Sequence, residues 1–343
     1  MKALVISKEN DLGLKEIEVP KINKDEVLIK QKACGICHSD YELLSGKYIV
    51  PFSYPIIPGH EWSGEVVEVG ENVKDFKKGD QVVGECVIGC GQCLLCKSGT
   101  FTNCPYADHF GFSINGAMAE YFKVRPEWLH ILPDAVSFEQ GALVEPFAVA
   151  YFSLTEIGGV NASDTVVIFG AGPIGLCTLA VSKGMGARTI VVEPMEKRIK
   201  IAEEMGANEI INPTKENTVK RVHELTNKGA GVVGADVVVE ASGVSKVLEI
   251  IFEVARNNGR VSIPGINIGN KIPVELGKIQ AKGLNVKGIV GSPYIWEQAL
   301  EFLARSKTDL SKMVTHMFSL SEGEKAYEFA SNKDQCLKVL VKA

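Results

Sequence analysis

The rhythm of apolar and polar positions changes near the middle of the chain. In the first part, short apolar runs are cut by turn residues: VLIKQKA (27–33), EVVEV (65–69), QVVGECV (81–87) and AEYFKV (119–124) are separated by segments such as KKGD and NGA. That pattern predicts short strands in a β-rich unit. Ser137 followed by Gln140 predicts a capping box that opens a helix, and Pro146 predicts a break in it after Glu145.

From residue 165 the pattern becomes alternating strand and helix. TVVIF (165–169), TIVVE (189–193), EIIN (209–212), ADVVVE (235–240), GRVSIPG (259–265) and LNVKGIV (284–290) are apolar enough to be buried on both faces. Between them, PIGLCTLAVSKGMG, EKRIKIAEEMG and SKVLEIIFEVARNN read as helices. Such alternation predicts an α/β protein with a parallel sheet covered on both sides by helices. The tail from Pro293 supplies a helix (IWEQALEFLARS) and a late strand (CLKVLVK), too little for a third domain. It is expected to pack back on the first.

Length and charge narrow the picture. At 343 residues the chain is long for one core, and a prior of roughly 150 residues per domain suggests two domains. The net charge is −5 with Lys and Arg scattered, so no basic stripe exists to bind a nucleic acid. The N-terminus, MKALVISKENDLGLKE, meets acidic residues too early for a signal peptide, and the sequence lacks an apolar run of about 18 residues that could span a bilayer. A cytoplasmic protein with no membrane partner is expected. In a reducing compartment the nine cysteines point toward metal or redox chemistry rather than disulfides.

The segment VVIFGAGPIGLCTLA places Gly170, Gly172 and Gly175 in a G-x-G-x-x-G turn, with Pro173 and Ile174 between the last two, directly after a strand and at the start of a helix. In that setting the first glycine permits the tight turn, the second lets a pyrophosphate approach the backbone, and the third lets helix and strand pack closely. The turn predicts a Rossmann-type, doubly wound dinucleotide-binding domain. Glu193 ends the next predicted strand, where a carboxylate accepts hydrogen bonds from adenosine ribose hydroxyls and repels a 2′-phosphate, so NAD is expected over NADP. Arg198 lies close enough in sequence to meet a phosphate.

Two cysteine-containing constellations remain. Cys90, Cys93, Cys96 and Cys104 follow a C-x2-C-x2-C-x7-C spacing. Four thiolates complete the shell of a tetrahedral zinc ion and leave no place for a substrate, which makes the site structural. An iron–sulfur cluster is the alternative, but its pattern has three residues in the last gap where this chain has seven. Cys86, four residues upstream, could compete as a ligand; with Cys34, Cys177 and Cys336 it reads as a packing residue or free thiol. The second constellation is sparser: ACGICHSDYELL holds Cys37, Ser39 and Asp40, and PIIPGHEWSGEVVEVG holds His60 and Glu61. A thiolate, an imidazole and a carboxylate suit a zinc site with an open position.

Here the chain resembles the zinc-containing medium-chain dehydrogenases. GHEWSGEVVEVG, with Gly59, His60, Glu61, Gly64 and Gly70, is similar to their signature; GICHSD resembles their cysteine loop and GCGQCLLCKSGTFTNC their structural-zinc lobe. The resemblance covers essentially the whole chain and implies two zinc ions per chain, NAD, and an alcohol substrate. It implies that Cys37 and His60 hold the catalytic zinc. The third ligand position falls in GALVEPFAV, where Glu145 stands in place of the Cys of classical alcohol dehydrogenases. That choice resembles the sorbitol, butanediol and threonine branch, in which the glutamate of the GHE motif also reaches the metal, so Glu61 and Glu145 both stand as candidates. By position Ser39 matches the family's proton-relay hydroxyl and Asp40 the carboxylate that orients the ligand histidine.

The chain departs from the family pattern at Glu42, where relatives often carry a relay His. It also departs in GIVGSPY, which lacks the Arg common in polyol-type relatives. Proximity to the motifs suggests Tyr41, Phe110 and Tyr294 as pocket walls. The implied architecture is a β-rich, GroES-like catalytic domain over residues 1–150 with the structural-zinc lobe, a Rossmann domain over 151–292, and a C-terminal segment, 293–343, that returns to the first. The implied activity is hydride transfer from a secondary alcohol, a small diol, polyol or amino alcohol, to NAD. The alternatives are a threonine 3-dehydrogenase-like or simple alcohol dehydrogenase and, in a different class, a non-catalytic zinc and dinucleotide sensor. Relatives of this kind are usually homodimers or homotetramers.

Overall fold

The computed structural model of the chain describes residues 1–227, 229, 231–306 and 308–343. These fall into two units: one of residues 1–145, 296–305 and 314–343, the other of 146–295 and 306–313.

The second unit is built on six strands, all paired in parallel. Numbered in chain order they are Thr165–Phe169, Arg188–Val192, Glu209–Ile211, Ala235–Glu240, Ala255–Ile263 and Asn285–Gly288, and they lie side by side as 3-2-1-4-5-6. This is the Rossmann order, with its switch point between the first and fourth strands. Both of those strands are buried along their whole length, which is why their middles, VVIF and VVV, are apolar. Val167, Phe169, Ile190, Val192, Val238 and Val261 lie in one core cluster with the surrounding helices.

The first unit carries a seven-stranded sheet. Val27–Gly35 is its central strand, pairing antiparallel with Glu61–Val69, Tyr121–Val124 and Lys338–Lys342. Val314–Ser319 joins parallel to Lys338–Lys342, and the helix Gly323–Ala330 lies between them in sequence. Trp62, Phe110 and Phe122 interlock in the core, with ring centroids 4.7 to 5.9 Å apart.

Two elements differ from the sequence expectation. Ser137 caps a short helix, Phe138–Gly141, through the Gln140 N–H, but the break precedes Val144 and the next helix, Val144–Glu156, runs through Pro146. Pro146 sits in that helix's first turn, where its missing N–H would have had no partner and its fixed φ suits the helix. SKVLEIIFEVARNN is two single helical turns, Ser245–Leu248 and Ile251–Val254, after which the chain enters the strand Ala255–Ile263. Ala255 pairs with Ala235, and the Arg256 guanidinium donates to Asp236 at 2.6 Å. These tertiary partners override a helical pattern in ARNN. The helix Thr218–Thr226 has no counterpart in the sequence expectation, although its start is readable: Asn217 accepts from the Lys220 N–H as its N-cap.

Candidate metal centres and dinucleotide turn

The four cysteines of the lobe sit on a short scaffold. Cys93 caps the four-residue helix Leu94–Lys97, and Cys104 follows the single turn Phe101–Asn103. Cys90 and Cys96 sulfurs are 3.9 Å apart, and those of Cys93 and Cys104 3.6 Å apart. A tetrahedron of Zn–S bonds about 2.3 Å long has edges of about 3.8 Å, so the cage already has the size of a zinc site. Backbone N–H groups aim at the sulfurs: Cys93 at Cys90, Cys96 at Cys93 and Tyr106 at Cys104, at 3.4 to 3.5 Å. N–H donation from Gln92 and Cys93 pulls the Cys90 thiol down to about 6, whereas burial pushes Cys96 up to about 12. No carboxylate or imidazole belongs to this donor group.

The mixed cluster is assembled from three elements. Cys37 caps the helix His38–Leu44, and the Asp40 carboxylate in its first turn accepts from the Cys37 N–H at 2.8 Å through Oδ2. Its other oxygen faces His60 Nδ1 at 3.6 Å. Both atoms are buried without a hydrogen-bond partner, so the imidazole Nδ1 proton has one acceptor in reach and Nε2 is left for a cation. That division of the ring is the usual support of a metal-bound histidine. Ser39 Oγ lies 3.4 Å from Nε2. One ligand atom each from Cys37, His60 and Glu61 falls within 4.8 Å of the others.

Glu61 begins its strand directly opposite Gly35, where a Cβ would come 2.4 Å from Glu61 Oε2. Only glycine leaves room for that carboxylate. Glu61 Oε2 pairs at 2.5 Å with Lys338 Nζ, both side chains 2% exposed, and Lys338 also donates to the Ile36 carbonyl. Burial works against the lysine's charge, but the Glu61 carboxylate outweighs it and the ammonium is held above its ordinary range. One Glu61 oxygen is therefore spoken for and the other stays available to a cation. Glu145 stands outside this tight group. Its side chain is half-buried, yet desolvation pushes its carboxyl up to about 7, with His60 pulling against the shift and Glu61 adding to it. Sulfur, nitrogen and oxygen donors in one cluster, backed by a carboxylate on the imidazole, fit a zinc ion with an open position.

Of the expected pocket walls, Tyr41 lies in the helix that Cys37 caps. Tyr41 turns its hydroxyl to the Tyr327 carbonyl at 2.7 Å, Phe110 is buried in the core, and Tyr294 is exposed. Around His60 stand residues that sequence reasoning did not select: Phe112, whose ring centroid is 4.9 Å from that of the imidazole, and Tyr48, stacked on Phe112 at 4.4 Å. Cys86 packs in the same apolar cluster. Burial pushes its thiol up to about 12, so it is a neutral wall and not a thiolate near neutral pH.

In the second unit the glycine turn follows the strand Thr165–Phe169. Gly170 has φ +93°, and a Cβ on Gly175 would lie 1.8 Å from the Gly170 carbonyl oxygen. Strand and helix touch there with no room for a side chain. Gly172 precedes Pro173 and Ile174 at the start of the helix Pro173–Gly184, whose N-terminus offers amide groups to an anion. The Arg198 guanidinium hangs 3.9 Å from where a Gly172 Cβ would be, and its Nε is buried without a partner. Glu193 accepts from the Ala171 N–H at 2.7 Å and the Met195 N–H at 3.0 Å. These bonds tie its strand end to the turn and leave a lone pair on each oxygen.

Among the described residues, no helix is long and apolar enough to cross a membrane. Family models match two stretches, the alcohol dehydrogenase GroES-like domain over residues 23–134 and the zinc-binding dehydrogenase over 173–305. The chain is 35% identical over 348 aligned positions to the sorbitol dehydrogenase of Bacillus subtilis, covering 99% of this chain and 97% of that one. It is also 35% identical to the L-threonine 3-dehydrogenase of Bacillus licheniformis, covering 99% and 98%. The crystal structure of 2R,3R-butanediol dehydrogenase from Bacillus subtilis superposes with a TM-score of 0.90 at 33% identity, covering 100% of this chain and 99% of that chain.

Proposed function

The chain belongs to the zinc-binding alcohol dehydrogenases, NAD-linked oxidoreductases acting on the CH–OH group of alcohols, and from that premise we propose that it oxidises a secondary alcohol bearing a second polar group. The single observation that carries this reading is the Cys37, His60 and Glu61 cluster, whose mixed donors leave a position for substrate. When bound there, zinc acts as a Lewis acid that lowers the pKa of an alcohol O–H toward neutrality.

The chain's own residues do the rest. Cys37, His60 and Glu61 would hold the cation, with Asp40 supporting the imidazole at Nδ1 and leaving Nε2 free to ligate. Lys338 anchors Glu61 through their buried ion pair, while Glu145 lies outside the three-residue donor group. Ser39 Oγ, beside Nε2, takes the alcohol proton and passes it outward. Gly170, Gly172, Pro173, Ile174 and Gly175 cradle the pyrophosphate of NAD, with Arg198 as its cationic neighbour. Glu193 receives the ribose hydroxyls, and its negative charge disfavours a 2′-phosphate. Cys90, Cys93, Cys96 and Cys104 hold the second, structural zinc.

A homo-oligomer belongs to the same reading. Among the described residues the edge strand Asn285–Gly288 pairs on one side only, and Ile266, Ile268, Leu276 and Val290 are exposed in the segments around it, each more than half accessible. A second copy adding to that edge would cover them. A cytoplasmic setting, where the thiols stay reduced, completes the picture. NADH formation across a panel of vicinal diols, polyols, threonine and simple secondary alcohols, with zinc-loaded and metal-stripped protein, tests the proposal. Metal-dependent turnover of at least one secondary alcohol is expected; inactivity on every one contradicts it.

A further inference from the structure

Three tyrosines lie on or beside the loop that follows Cys37, and only one keeps its hydroxyl uncommitted. Tyr41 donates to the Tyr327 carbonyl and Tyr54 to the Leu43 carbonyl. The Tyr48 hydroxyl makes no hydrogen bond to a described residue, although its ring is half-buried and stacked on Phe112, which in turn packs on His60. Phe112, Leu43, Leu44 and Cys86 share its apolar cluster. The hydroxyl is not among the fully buried polar atoms that lack a partner, so it opens to space beside this wall, where a ligand's hydroxyl can bond to it.

Resting on the dehydrogenase reading above, we propose that Tyr48 is a specificity-determining residue whose phenol O–H hydrogen-bonds the second hydroxyl of a vicinal diol, on the carbon next to the one oxidised. The ring stack fixes the phenol two contacts out from the imidazole that holds the cation. A substrate whose first oxygen sits at the Cys37, His60 and Glu61 cluster then meets Tyr48 with its neighbouring carbon. Burial is the main reason the phenol's pKa stands above its ordinary value; Cys86, Cys37 and Glu145 add to the rise and His60 opposes it. The group is therefore a neutral donor throughout the working pH range. An alcohol with no second hydroxyl leaves that donor unpaired, and a site that hydrogen-bonds a substrate hydroxyl discriminates against analogues lacking it.

The test compares wild type with Tyr48→Phe, which keeps the ring and its stack on Phe112, on butane-2,3-diol and on butan-2-ol. For the diol, kcat/KM should fall by about three- to tenfold, the worth of one neutral hydrogen bond. The calorimetric Kd of the diol for zinc-loaded protein should rise by the same factor. Turnover of butan-2-ol should change less than about twofold, because it never made that bond. Equal losses on both alcohols, or no loss on the diol, overturn the assignment of Tyr48 while the dehydrogenase reading stands. Wild-type protein that oxidises neither alcohol but turns over another member of the panel overturns the Tyr48 assignment alone; inactivity across the whole panel overturns the dehydrogenase reading with it.

Discussion

The four-cysteine lobe and the Cys37, His60 and Glu61 cluster offer a cation opposite environments. In the lobe, all donors are sulfur and all come from one stretch of fifteen residues, Cys90 to Cys104. Backbone N–H groups hold the sulfurs in place, and the surroundings are as exposed as Leu94, 81% accessible. The mixed cluster draws its donors from separate elements and depends on buried support: Asp40 behind His60, Lys338 behind Glu61, Gly35 making room. A closed shell stabilises and does nothing else. An open one can react, at the cost of burying charges that need partners.

Breaking each site should therefore fail differently. Cys37→Ala should lower kcat by at least about a thousandfold, since it removes a ligand of the group that stabilises the reacting oxygen. The melting temperature should move little, and NAD binding by calorimetry should be retained. Cys93→Ala should do the reverse. Structural zinc contributes about 10 kcal/mol or more of binding free energy to a folded lobe, so the variant should melt far earlier, as calorimetry can read. Molecules still folded should turn over near the wild-type rate.

Lys338→Met sharpens the contrast. Removing one partner of a buried ion pair costs about 3–5 kcal/mol, and this cost should appear in urea unfolding of metal-free protein. Loading zinc should recover much of it, because the cation then compensates Glu61. Lys342→Ala marks the small end of the scale. The Lys342 ammonium, 2.5 Å from Glu139, holds that half-buried carboxyl below its ordinary value of 4.5. Glu139 therefore stabilises the fold above the unfolded pKa, and the contribution is lost as pH falls through the lower folded one. The variant should lose less than about 1 kcal/mol at neutral pH, and the difference from wild type should vanish in acid unfolding curves.

What the sequence revealed follows the same division. The parallel strands were readable because burial on both faces leaves apolar runs such as VVIF (166–169) and VVV (237–239), and the lobe because its ligands are local. The mixed cluster was readable in part: Cys37, Ser39, Asp40, His60 and Glu61 meet, because helix and strand starts place motif residues by short-range rules. Glu145 was indistinguishable from Glu61 as a candidate in the motifs; in the structure Glu61 joins the donor group of Cys37 and His60 and Glu145 does not. Lys338 was out of reach, since 277 residues separate it from its partner. ARNN was misread as helix because its strand partners lie about twenty residues upstream, beyond any local window. Tyr48 carries no motif at all; it becomes visible only when Phe112 and His60 stack beside it.

The measurement closest to the central claim is the zinc content of wild-type and His60→Ala protein, taken on the same samples as turnover. The account predicts about two zinc ions per chain in the wild type and about one in the variant, from the ligand counts of the two sites. It also predicts a native far-ultraviolet circular dichroism spectrum and no measurable NADH formation in the variant. Turnover that survives with the variant at about one zinc per chain would contradict it, because the chemistry would then not belong to the open cluster.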